Sequence, residues 1–240
     1  MPAIPINPIE ALAAAIYPGH MAVLHSVNIG LIRPAESDTG VSAIDKRPTE
    51  RPVMVRDPGP KGSGDGGLVG DRLGDPRHHG GHDAAVYAYA REDLDAWQTD
   101  LGVPLASGVF GENLTTVELD VTGARTGERW RIGEHVLLQV TAPRIPCRTF
   151  AAWMRRHGWV KAFTDRGVPG AYLRVLEPGW IRAGDPIVVE HRPDHDITIG
   201  LIFRALTTQP ELLPRLLEAD DLPEDAKDRA RRRLSFEVLS

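Results

Sequence analysis

The sequence holds a single cysteine in 240 residues. No disulfide can close within the chain, and no CxxC pair exists to build a structural zinc site or a redox dithiol. Such thiol poverty fits a reducing cytosol, so a cytoplasmic location is the expectation. Aromatic residues are also scarce, at 6%. No apolar run approaches the roughly 18–20 residues that a membrane span needs. The apolar N-terminus, MPAIPINPIEALAAAIYPG, lacks the basic start of a secretory signal. Positive charge is not in excess either: the net charge of −5 offers no bulk attraction to nucleic acid or an anionic membrane.

What the chain has in quantity is glycine and proline, 24 and 20 residues, on an ordinary background of 42% hydrophobic and 25% charged content. That mix predicts a loop-rich, mainly β (α+β) protein, long enough to bury a core. Asn7-Pro8 reads as an N-cap and first-turn proline opening a short helix to about Tyr17. Residues 21–32 have strand or hairpin character; 42–55 read as turn, basic loop and strand, 56–76 as loop, and 84–90 as a short apolar strand. REDLDAWQTDL (91–101) is a helix with Gly102 as its C-cap signal. ERWRIGEHVLLQVTAP (128–143) is a long β stretch, and TFAAWMRRHGW (149–159) has helical spacing up to Gly158. AYLRVL and PIVVEH are late strands. Composition shifts near 193–197, and three short helices are predicted beyond it. Thr198 caps one, Thr208 caps the next with Glu211 completing a capping box, and Asp221 caps the last. The expected division is an N-terminal helical extension over 1–19, a main domain over 20–195 and a helical appendage over 196–240.

Four short stretches carry candidate chemistry. GSGDGG (62–67) matches the dinucleotide-binding glycine pattern, but no helix follows it, and it reads as a flexible loop. HHGGHD (78–83) packs His78, His79, His82 and Asp83 together. It is either a metal site or, because Gly80-Gly81 makes a tight turn, a set of polar donors held toward a ligand. GENL (111–114) sets Glu112 beside Asn113: an acid or base next to a group that both donates and accepts, or else a self-bonded turn. TAPRIPCRTF (141–150) places the lone Cys147 between Arg144 and Arg148, in a segment stiffened by Pro143 and Pro146. A nearby cation favours the thiolate, which binds soft or high-valent metals or attacks electrophiles. Spacing does not choose between those roles and a small buried hydrophobe.

SVNIG (26–30), SAIDKRP (42–48), HHGGHDAAVYAY (78–89), FGENLTT (110–116), IGE (132–134) and LQVTAPRIPC (138–147) occur in that order. Over roughly residues 20–192 the chain thereby resembles the MOSC-domain family, and most of all its YiiM-like subgroup, whose three-helix appendage the C-terminal helices resemble. The resemblance implies a β-barrel-like core with peripheral helices that carries the molybdenum cofactor, a molybdenum bound to a pterin dithiolene. It implies Cys147 as the metal ligand, and Lys46, Arg47, His79, Asn113, Arg144 and Arg148 as cofactor-binding residues. Glu112 or a nearby histidine is the expected proton donor. The activity implied is reduction of N-hydroxylated compounds of the hydroxylaminopurine or amidoxime type by a molybdenum-dependent oxidoreductase. An external flavin or iron–sulfur reductase would have to supply the electrons, since the chain has no cysteines for a cluster of its own. Without its cofactor the pocket is expected to attract phosphate or sulfate. Sulfur transfer to the cofactor, or carriage of it without turnover, are the alternatives; a hydrolase built on HHGGHD would instead bind zinc and ignore Cys147. The helical tail is expected to serve as a homodimer contact or docking surface. The glycine-rich insertion at 56–70 is longer than expected for the subgroup.

Overall fold

The β-branched run VLHSVNIG forms the first strand, β1 (Val23–Gly30), and the strands β2 (Arg33–Pro34), β3 (Val41–Ser42), β4 (Lys46–Thr49) and β5 (Val53–Val55) follow it. The structure is a computed structural model that describes residues 21–77 and 79–237; the helix expected at Asn7–Tyr17 and His78 lie outside them. After a long loop come β6 (Val86–Ala90), helix α1 (Arg91–Leu101) and β7 (Leu114–Val117). The predicted β stretch at 128–143 is a hairpin of β8 (Arg129–Ile132) and β9 (Val136–Pro143). Helices α2 (Arg148–Met154) and α3 (Trp159–Arg166) lead to β10 (Ala171–Glu177), β11 (Gly179–Ile181) and β12 (Ile187–His191). Three helices end the described chain: α4 (Ile199–Thr207), the single turn α5 (Leu213–Leu216) and α6 (Glu224–Glu237).

Eight strands form one sheet in the order β12-β8-β9-β10-β6-β7-β1-β4. Every pair is antiparallel except β6 with β7, which α1 joins as a crossover. The sheet curls until its first strand meets its seventh. Ile187 N donates to Ala22 O at 2.8 Å, Leu24 N to Asp185 O at 2.9 Å, and Gly184 N to Leu24 O at 2.8 Å. One edge of β1 is thus shared, its start by the entry to β12 and its end by β4, which curls the sheet into a barrel-like core.

Strand β6 shows why the barrel is covered on both sides. All five of its residues are buried. Val86, Ala88 and Ala90 point into the main apolar core, while Tyr87 and Tyr89 alternate into a second cluster outside the barrel wall. Most of the chain's few aromatics gather there, among them Trp97, Phe110, Phe150, Trp159 and Phe163. The main core runs without a break from barrel residues such as Trp130 and Leu138 into Ile202, Leu213, Leu222 and Ala230 of the C-terminal helices.

Several local expectations change. KRPT is strand β4 rather than a basic loop; it lies at the sheet edge, where Pro48 costs no ladder hydrogen bond. The helix expected over 149–159 stops at Met154, because Arg155 takes the left-handed cap, and Gly158 opens α3 instead. The capping box at Thr208 does not form: Thr208 ends α4, Gln209 precedes a 3-10 turn over Pro210–Leu212, and no side chain caps it. Helix α6 begins at Glu224, three positions beyond Asp221. Thr198 does cap α4, accepting from Leu201 N at 3.1 Å. No helix among the described residues is long and apolar enough to cross a membrane.

Candidate functional site

Strand β9 ends at Pro143, and the next four residues form a connector whose backbone is limited by Pro146 and by Pro143 just before it. Cys147 closes it in an extended conformation, φ −128° and ψ 172°, with a free, half-buried thiol. Arg144, within the same connector, is only 8% exposed. Its guanidinium lies 4.1 Å from the Phe150 ring centre and 5.2 Å from that of Tyr87, and it donates to the Phe110 carbonyl. No carboxylate among the described residues pairs with it. A buried cation without a carboxylate is costly in isolation and is suited to an anionic ligand.

Arg144 and Cys147 line a cavity of about 110 Å³ together with Lys46, His79, Asn113 and Tyr172. Two larger hollows adjoin it. One, of about 390 Å³, shares Cys147 and His79 with the first and is bordered by Arg148 and Asp38. The other, of about 450 Å³, shares His79 and Tyr172 and runs between the 79–84 turn and α6, where Ala226 and Arg229 form its far wall. Exposed His79 borders all three.

One wall of the first cavity is a strut centred on Asp71, which lines it. Its carboxylate accepts from Gly30 N at 2.7 Å, from Lys46 Nζ at 2.5 and 2.6 Å, and from Asn113 Nδ2 at 2.9 Å. Burial pulls the Lys46 ammonium below the ordinary lysine value, against the pull of Asp71. Lys46 and Asn113 therefore face the cavity already committed to Asp71. Asn113 is further fixed by Tyr87 N, which donates to its Oδ1 at 3.2 Å.

The remaining sequence candidates fall elsewhere. Glu112 is fully buried and does not line the cavity. Its carboxylate accepts from Gly108 N, from Phe110 N at 3.0 Å and from Thr115 Oγ1 at 3.1 Å, so it ties the 108–115 segment together. Burial pushes its pKa up to about 6, against those donors. Arg47 is 71% exposed and pairs with Asp45, away from the three hollows. Arg148 is 89% exposed and pairs with Asp38 at 2.6 Å on the rim. In the HHGGHD turn, His82 contacts Asp57 at 2.8 Å and Asp83 pairs with Arg174, so both are committed to structural partners. No group of three or more His, Cys, Asp or Glu gathers among the described residues in a metal-holding arrangement.

Sequence reasoning missed Asp71, Tyr87 and Tyr172. Asp71 sat in a stretch readable only as glycine-rich loop. The two tyrosines sat at ordinary strand positions, Tyr172 directly opposite Tyr87 in the β10–β6 register.

The chain is 32% identical over 181 residues to an uncharacterised protein, YflK of Bacillus subtilis (strain 168), which spans 75% of this chain and 78% of that one. The MOSC domain profile matches residues 75–188. The chain belongs to the MOSC-domain family. The matched MOSC stretch takes in His79, Glu112, Asn113, Arg144 and Cys147. The MOSC fold here resembles the crystal structure of YiiM from Geobacillus stearothermophilus, with a TM-score of 0.71 and 26% identity over 89% of this chain and 99% of that one. A protein from Gibberella moniliformis (strain M3125 / FGSC 7600) named simply a reductase is 29% identical over 161 residues, 65% of this chain but only 28% of its own length.

Proposed function

We propose that this MOSC protein binds a molybdenum–pterin cofactor through Cys147 and reduces N-hydroxylated small molecules of the hydroxylaminopurine or amidoxime type. The observation that carries the reading is the pairing, in one cavity, of a free thiol with a buried guanidinium that no carboxylate among the described residues bonds. The donor set fits the group. A single thiolate is the soft ligand such a metal takes from protein, and Arg144 answers the negative charge of an oxo-metal and a pterin phosphate. The adjoining hollow that shares Cys147 gives the pterin room the small cavity lacks. When bound, the cofactor would supply two-electron redox chemistry. The chain's own residues do the rest. Phe150 and Tyr87 hold the Arg144 guanidinium from its ring contacts, and Asp71 keeps Lys46 and Asn113 at fixed points of the cavity wall. His79 stands where the three hollows meet and can orient whatever crosses between them. The Gibberella relative's name supports an oxidoreductase. The electrons would come from an external flavin or iron–sulfur reductase in the cytoplasm.

The test is metal analysis, with pterin fluorescence, of wild type and C147A made in a host that synthesises the cofactor. Molybdenum and pterin are expected with wild type, and a severalfold loss of molybdenum with C147A. Zinc in both proteins, or neither metal in either, would overturn the reading. Cofactor binding without reduction of any N-hydroxylated base would leave a carrier.

A further inference from the structure

Three tyrosines lie among the described residues, and they differ in one respect. Tyr87 donates its hydroxyl to Pro169 O at 2.7 Å, and Tyr89 donates to Val168 O at 2.8 Å. Tyr172 has no hydrogen-bond partner for its hydroxyl among the described residues. Its ring is held all the same, tilted against Tyr87 with centroids 5.2 Å apart. It stands in the wall between the small cavity that contains Cys147 and Arg144 and the larger hollow under α6. A fixed, unspent donor at the junction of a cofactor cavity and a second hollow is placed to meet a ligand that spans the two.

Resting on the function proposed above, we infer that the hollow between the 79–84 turn and α6 receives the N-hydroxylated substrate, and that the Tyr172 hydroxyl donates to its N–O oxygen. The size of that hollow, about 450 Å³, suits a heterocyclic base. The overall conversion consumes two electrons from the external flavin or iron–sulfur reductase and two protons. As the N–O bond breaks, one proton passes from Tyr172 to the oxygen, which leaves as water. The second goes to nitrogen and yields the amine, and Tyr172 recovers its proton from solvent. A tyrosine hydroxyl, whose ordinary pKa is about 10, stays protonated through the working range. The expected donor Glu112 has no such access, since it is spent on the 108–115 segment. Helix α6 gains a role here too, because Ala226 and Arg229 shape the substrate end.

The test compares wild type and Y172F, both loaded with cofactor and oxidised, by equilibrium binding of 6-N-hydroxylaminopurine and of adenine, which lacks the N–O oxygen. Y172F is expected to hold as much molybdenum as wild type and to bind adenine equally. It should bind the hydroxylamino base about tenfold more weakly, the order of one lost hydrogen bond, and turn it over about a hundredfold more slowly, the low end for a lost acid. A Y172F protein with unchanged preference and unchanged turnover would overturn this inference alone. A wild type that neither holds molybdenum nor reduces the base would overturn it together with the function it rests on.

Discussion

Glu112 shows how far a residue's role can depart from its chemistry on paper. A carboxylate beside an asparagine reads as an acid–base group, yet here it takes three donors from the loop before β7 and from β7 itself, and none from the cavity. Its folded pKa of about 6 lies above its ordinary 4.5. Between those values the folded protein keeps a proton that the unfolded chain releases. Stability tied to this group is therefore full below pH 4.5 and is lost as pH rises through about 6. Denaturant midpoints of wild type measured from about pH 4 to pH 8 should fall across this window relative to those of E112Q, which has no proton to release. Parallel curves would mean that Glu112 keeps an ordinary pKa in the fold.

At the scale of elements, caps and close approaches set the costs. Thr198 caps α4, and T198A should cost about 1 kcal/mol. Gly108 adopts φ 88°, and a Cβ there would run into the Lys46 carbonyl and come within 3.2 Å of Asn28. G108A should therefore cost more than T198A, about 1–3 kcal/mol from backbone strain alone, before any loss of its hydrogen bond to Glu112. Urea unfolding of both variants checks the order. The same elements mark what sequence could convey. Strand β1, helix α1 with its Gly102 cap, and the Thr198 cap were legible because each is decided by neighbours within one turn or one strand. Strand β4 was not, because only its place at the sheet edge makes KRPT a strand. Cys147 was conspicuous as the sole thiol, and Arg144 stood beside it. Asp71 and Tyr172 gain meaning only from partners 25 to 42 residues away, or from having none. No local pattern records that.

Across the whole molecule, the barrel and the C-terminal helices share one core, with Ile202, Leu213 and Ala230 fully buried in it. Barrel and helices should therefore unfold together, in one calorimetric transition whose van't Hoff and measured enthalpies agree. A chain cut after Asp196 should lose that transition and aggregate, because it bares the surface that α4 covers. A barrel that melted unchanged after the cut would show that the helices are an independent unit.

The loop between β5 and β6 carries a consequence of another kind, for how such chains diverge. Arg56 N bonds Gly67 O at 2.8 Å and pinches the loop at its base. The outer arc from 58 to 64 hangs beyond that pinch and beyond the ties of Asp57 to His82 and Asp65 to Arg72, whereas Asp71 is registered against Gly30, Lys46 and Asn113. Insertions and deletions in related lineages should accumulate in the arc and spare the stretch from Gly67 to Gly74. Two neighbouring segments that look equally unconstrained as text would then record opposite histories, one drifting in length and the other held to it.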